Sequence, residues 1–131
     1  MITIEETSKY LRNHWNVVNL GKANLKIELD LKKRKQEVFL YFWNANDDES
    51  DPWLSIFSQF VEVKDSNPKI ILSKLVQIGS AIGVRCNAGI YSLSKELRLR
   101  NYNLEDLEFE IYNLGSTADE LDQFFNASDK F

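Results

Sequence analysis

One histidine and one cysteine in 131 residues leave little equipment for catalysis. A hydrolytic triad or a proton relay near neutral pH normally recruits histidine, and His14 stands alone beside Trp15, as capping or surface histidines do. Cys86 cannot form an internal disulfide, and with no second histidine to activate it the residue reads as a small buried hydrophobe rather than a nucleophile. The five glycines stand singly, and no glycine-rich phosphate loop, HExxH, CxxC or GxSxG occurs. No catalytic residue, metal site or cofactor is therefore expected, and the protein reads as a non-enzyme.

Other absences bear on location and partners. The uninterrupted apolar runs are only a few residues long, far short of a membrane span, so no membrane partner is expected. No basic segment followed by an apolar run and a cleavage site opens the chain, which together with the lone cysteine predicts a soluble, cytoplasmic protein. Sixteen basic residues against twenty acidic ones give a net charge of -4, a balance that argues against nucleic acid as a partner. The one dense basic run, Lys32-Lys33-Arg34-Lys35, lies between two alternating segments and reads as a solvated turn, with contact to an anionic partner as the alternative.

What is present is an ordinary globular pattern, 44% hydrophobic and 27% charged, of a length that suits one domain with its own core. Thr3-Ile4-Glu5-Glu6 has the form of a capping box and predicts a helix from Ile4 to about Trp15. Asn19 to Asn24 reads as a turn. Leu25, Ile27, Leu29 and Leu31 then alternate with Lys26, Glu28, Asp30 and Lys32, the period of a strand with one dry face. In the next strand, Glu37 to Trp43, both faces are apolar: Val38, Leu40 and Phe42 on one side, Phe39, Tyr41 and Trp43 on the other.

Asn44 to Pro52 is the most polar stretch and suits a hairpin connection; it lacks the glycine and terminal glutamate of a calcium-binding EF-hand loop. Trp53 to Val63 returns to strand-forming residues, with a bulge expected near Ser58-Gln59. Asn67-Pro68 opens a second helix running to about Ile82, with Gly79 on its broad stripe and Gly83 ending it. Val84 to Cys86 and Ile90 to Arg100 read as strands joined by a turn at Asn87-Ala88-Gly89.

The closing stretch, from Asn103 to Phe125, places Leu104, Leu107, Ile111, Leu114, Ala118, Leu121 and Phe125 on one helical stripe, with Asn103 as its cap. Gly115 is the weak point: a bend there, a break with Ser116 recapping, or a strand at Leu107-Phe109-Ile111 with a helix after Gly115 are the competing readings. The resulting order, helix-β-β-β-helix-β-β-helix, predicts an α+β fold in which an antiparallel sheet packs against helices. Glu105, Asp106, Glu108 and Glu110 spread over the wet side of the last helix and need no catalytic explanation.

Phe39, Tyr41, Trp43, Trp53, Phe57 and Phe60 fall on two neighbouring strands, more aromatic surface than one dry face absorbs. Either helices cover both faces of the sheet or part of this surface meets a partner; in the second case Phe39, Tyr41, Trp43 and Trp53 are the expected contact residues.

Gly89 to Phe125, GIYSLSKELRLRNYNLEDLEFEIYNLGSTADELDQFF, resembles the end of YbjN-family proteins and of class I type III secretion chaperones. The shared features are a glycine-led strand, the Leu97-Arg98-Leu99 stretch, a helix begun by Asn103-Leu104, the pair Ala118-Asp119 and bulky apolar residues at the end. The resemblance implies a bacterial α+β domain of type III secretion chaperone-like fold that often forms a homodimer. It also implies action by binding another protein, holding an apolar partner segment as extended chain. A different expectation comes from the acidic balance: an immunity-type inhibitor would neutralise a basic toxin through Asp47, Asp48, Glu49 and Asp51.

Overall fold

Thr3 and Asn103 start the first and last helices in the same way. The Thr3 hydroxyl accepts the Glu6 amide at 3.0 Å and the Asn103 side chain accepts the Asp106 amide at 2.7 Å, each satisfying a donor that a first helical turn leaves unpaired. These helices are α1 (Ile4–His14) and α3 (Leu104–Phe125); α2 (Pro68–Ile78) opens with proline at its first position, after Asn67. The structure, a computed structural model, describes residues 1–78, 82–126 and 131. Gly79, expected on the stripe of α2, lies outside the described residues; Ile82, the expected end of that helix, is described and is not helical.

Among the described residues six strands form one sheet: β1 (Asn16–Asn19), β2 (Asn24–Leu31), β3 (Arg34–Asn44), β4 (Pro52–Glu62), β5 (Gly83–Asn87) and β6 (Ile90–Arg98). Their order is β1-β2-β3-β4-β6-β5, with every neighbouring pair antiparallel. The fold is thus α+β, with helices packed on an antiparallel sheet. β1 is an addition to the expected order. Its four residues pair with Leu25 to Glu28, but Asn16-Val17-Val18-Asn19 is too short to display a period of its own.

The connections follow backbone geometry. Ala88 and Gly89 join β5 to β6 with φ of 51° and 76°, the pair of positive values that lets a two-residue hairpin match the twist of its strands. The expected bulge appears as a shift of register between Gln59 and Val61, and both Phe60 and Val61 are buried there. The last strand ends at Arg98, two residues earlier than its alternation suggests, because Leu99–Asn101 tightens into a 3-10 turn that buries Leu99.

The core lies between the sheet and α3. Ile27, Leu29, Val38, Leu40, Leu54 and Ile56 project from one sheet face onto Leu107, Ile111, Leu114 and Ala118 of the helix. Gly115 does not break α3, which runs through it without interruption. The glycine is there because the helix lies so close to β2 and β3: a Cβ at this position would meet Leu29 Cδ1 and, at 2.7 Å, Val38 Cγ2. Gly115→Ala is accordingly expected to lower stability by about 1–3 kcal/mol through overpacking, although alanine is the better helix former by about 1 kcal/mol. A rise in the urea midpoint of this variant would show that helix propensity governs the site instead.

One end of the core is ionic. Arg34, expected with its lysine neighbours in a solvated turn, instead reaches inward to α3. Its Nε donates to Asp119 Oδ1 at 2.9 Å and its Nη2 to Asp122 Oδ2 at 3.1 Å. Both carboxylates are buried, and they are held further by Gln123, Asn126 and the Phe131 amide. Lys32 and Lys33 remain exposed at the hairpin tip.

Candidate partner-binding face

Alternation along β3 and β4 sends Phe39, Tyr41, Trp43, Trp53 and Phe57 to the sheet face opposite the core, and sends Phe42 and Phe60 inward. Phe60 is therefore removed from the surplus of aromatic surface: it is fully buried, with ring centres 6.5 Å from Tyr91 and 6.1 Å from Phe125. The other five share the outer face.

Register explains how they are arranged. Phe39 lies directly across from Phe57 and Trp43 across from Trp53, and the rings of each pair stack, at 5.1 Å and 5.3 Å between centres. Between these pairs Tyr41 faces Ser55. Serine is far smaller than the aromatic residues on either side of it, so the row leaves a shallow concavity of about 590 Å³ above Ser55, with Tyr41, Trp43 and Phe57 in its walls. Neighbouring strands complete the lining with Asn24, Glu96 and Arg85, and among the described residues no helical one takes part.

Polar atoms on this face are tied together. Trp43 Nε1 donates to Ser55 Oγ at 2.9 Å, and Ser55 Oγ donates to Glu96 Oε2. The guanidinium of Arg85 lies over the Phe57 ring at 5.1 Å and that of Arg98 over Trp53 at 5.8 Å. Tyr41 is the most open of the aromatic residues, 44% exposed; Phe39, Trp43, Trp53 and Phe57 are half-buried against one another.

The acidic loop borders this face. Asp51 receives both Nε and Nη2 of Arg98, at 2.8 and 3.0 Å, and this bond chiefly holds its carboxyl below the ordinary value of 3.8. The Asp48 carboxyl is also lowered, by hydrogen bonds from the hydroxyl and amide of Ser50. Asp47 and Glu49 are exposed.

The structure brings the four expected contact residues, Phe39, Tyr41, Trp43 and Trp53, onto one surface. Ser55, Glu96, Arg85 and Asn24 were missed, since only the strand register places them beside the aromatic pairs. The signal within β4 was the small Ser55 between Trp53 and Phe57 in the outward series. Cys86, expected to be buried, is exposed on β5, an edge strand of the sheet. His14 stacks on Tyr10, with ring centres 4.0 Å apart, and its Nδ1 lies 2.8 Å from the Tyr10 carbonyl oxygen.

Among the described residues, no group of three or more His, Cys, Asp or Glu side chains is placed to hold a metal ion, and no helix is long and apolar enough to cross a membrane. No family model, curated protein or solved structure matches this chain.

Proposed function

We propose that this protein is a non-enzymatic adaptor or chaperone that holds an apolar segment of another protein on the outer face of its sheet. The observation that carries the reading is the group of five aromatic side chains on a face where, among the described residues, no helix lines the concavity. An extended segment suits the site: an apolar side chain fits above Ser55 between the stacked pairs, while Arg85, Glu96 and Asn24 offer polar groups to its backbone. Removing apolar area from water there is worth roughly 25 cal/mol per Å², less the ordering of the segment. The likeness of Gly89 to Phe125 to YbjN-family proteins and class I type III secretion chaperones agrees with this reading, and with a cytoplasmic homodimer in a bacterium.

The test is the affinity of a co-purifying protein, measured with purified components, for the wild type and for Phe39→Ser and Trp43→Ser. Each substitution is expected to weaken binding about ten-fold or more, the behaviour of an aromatic anchor. Unchanged affinity in variants that keep their fold would remove the site. An immunity-type inhibitor acting through Asp47, Asp48, Glu49 and Asp51 would instead bind with strong salt dependence, whereas the aromatic face predicts a weak one. Arg98 already neutralises Asp51, which favours the aromatic reading.

A further inference from the structure

A second surface, on α3 away from the sheet, has a different chemistry. Glu105, Glu108, Phe109 and Tyr112 follow one another at spacings of three, one and three residues, which places them on a single helical stripe. Phe109 is 66% exposed and Tyr112 49% exposed, where a solvated helix face ordinarily carries polar residues. Trp15, the residue that ends α1, closes the other side, and together they line a notch of about 350 Å³.

The notch is negative as well as aromatic. Tyr10 donates its hydroxyl to Glu108 Oε2 at 2.8 Å, which fixes that carboxylate in place. This hydrogen bond first, then burial and the charges of Glu108 and Glu105, holds the Tyr10 hydroxyl above its ordinary value of 10.0. Neither glutamate forms an ion pair with any described residue. Arg12, in the last turn of α1, is turned to Asn19 instead.

Three aromatic rings and two carboxylates around one opening form a site for a cation, because ring faces and carboxylates both attract positive charge. An apolar ligand would gain nothing from the negative charge, and an anion would be repelled. We infer that this notch receives an arginine or lysine side chain from a basic segment of a partner protein. It is independent of the aromatic sheet face and stands or falls without it.

The test uses the full chain and two capped pentapeptides, a single arginine or a single norleucine among glycines, followed through the assigned indole N–H resonance of Trp15. The arginine peptide is expected to shift that resonance saturably and the norleucine peptide to leave it in place. Glu105→Gln combined with Glu108→Gln should weaken binding about five-fold or more, and Phe109→Ser should also weaken it. Asp47→Asn combined with Glu49→Gln removes the same charge from an exposed loop and should leave affinity unchanged. The remaining resonances report whether each variant is folded. No shift with arginine, an equal shift with norleucine, or equal weakening by the two charge-removing pairs would each overturn the inference.

Discussion

Replacing Arg34 by methionine is expected to lower stability by about 3–5 kcal/mol, far more than removal of a surface arginine, because it takes the guanidinium away from two buried carboxylates. The side chain of Asp122 is wholly buried and that of Asp119 is 5% exposed, so water cannot take over the role of the guanidinium. Urea denaturation is the measurement, with a lowered midpoint and an unchanged slope expected for a loss in the folded state alone. Adding Asp119→Asn and Asp122→Asn to the variant should recover part of the loss, since neutral amides are less costly to bury than charges that have lost a cation. A single Arg34→Met variant as stable as the wild type would mean that the ionic cluster contributes nothing to the fold.

Phe60→Ala is expected to cost about 3–5 kcal/mol, the range for emptying a large buried aromatic site. Phe60 is completely buried at the β4 bulge, between Tyr91 and Phe125, and its carbonyl accepts the Asn126 side chain at 3.0 Å. Phe39→Ala provides the contrast. Phe39 is half-buried on the outer face, and the same chemical change there should cost about 1 kcal/mol. Thermal or urea unfolding of the two variants side by side tests the assignment of faces along β3 and β4. Equal losses would show that the outer face is packed as tightly as the core.

Periodicity made much of this fold legible. The alternation of Leu25 to Leu31 is long enough to identify both the strand and its dry face, and the stripe from Leu104 to Phe125 identifies the helix that covers it. Caps at Thr3 and Asn103 and the turn at Ala88-Gly89 were readable because each depends on one or two residues with specific backbone chemistry. Gly115 was ambiguous for a physical reason: glycine at a helix break and glycine at a close helix–sheet approach look alike until Leu29 and Val38 are placed beside it.

Features that depend on long-range placement were hidden. The inward turn of Arg34 depends on carboxylates more than eighty positions away, and its lysine neighbours disguised it as part of a solvated run. The exposure of Cys86 depends on β5 being an edge, and Val17-Val18 became a strand only because β2 offered an open side. For the candidate site, the aromatic residues of β3 and β4 could be picked out from composition and alternation. Ser55 and Glu96, which shape and polarise the concavity, needed the register of three strands.

The most direct test of the central claim is a map of where a bound partner touches the protein. Amide and indole resonances should be followed while a co-purifying protein, or its binding segment, is titrated into the labelled chain. Perturbations are predicted to centre on Phe39, Tyr41, Trp43, Trp53 and Phe57, with the core face of the sheet unaffected. Perturbations confined to the helices or to the acidic loop at Asp47 to Asp51, with these five residues unmoved, would contradict the account.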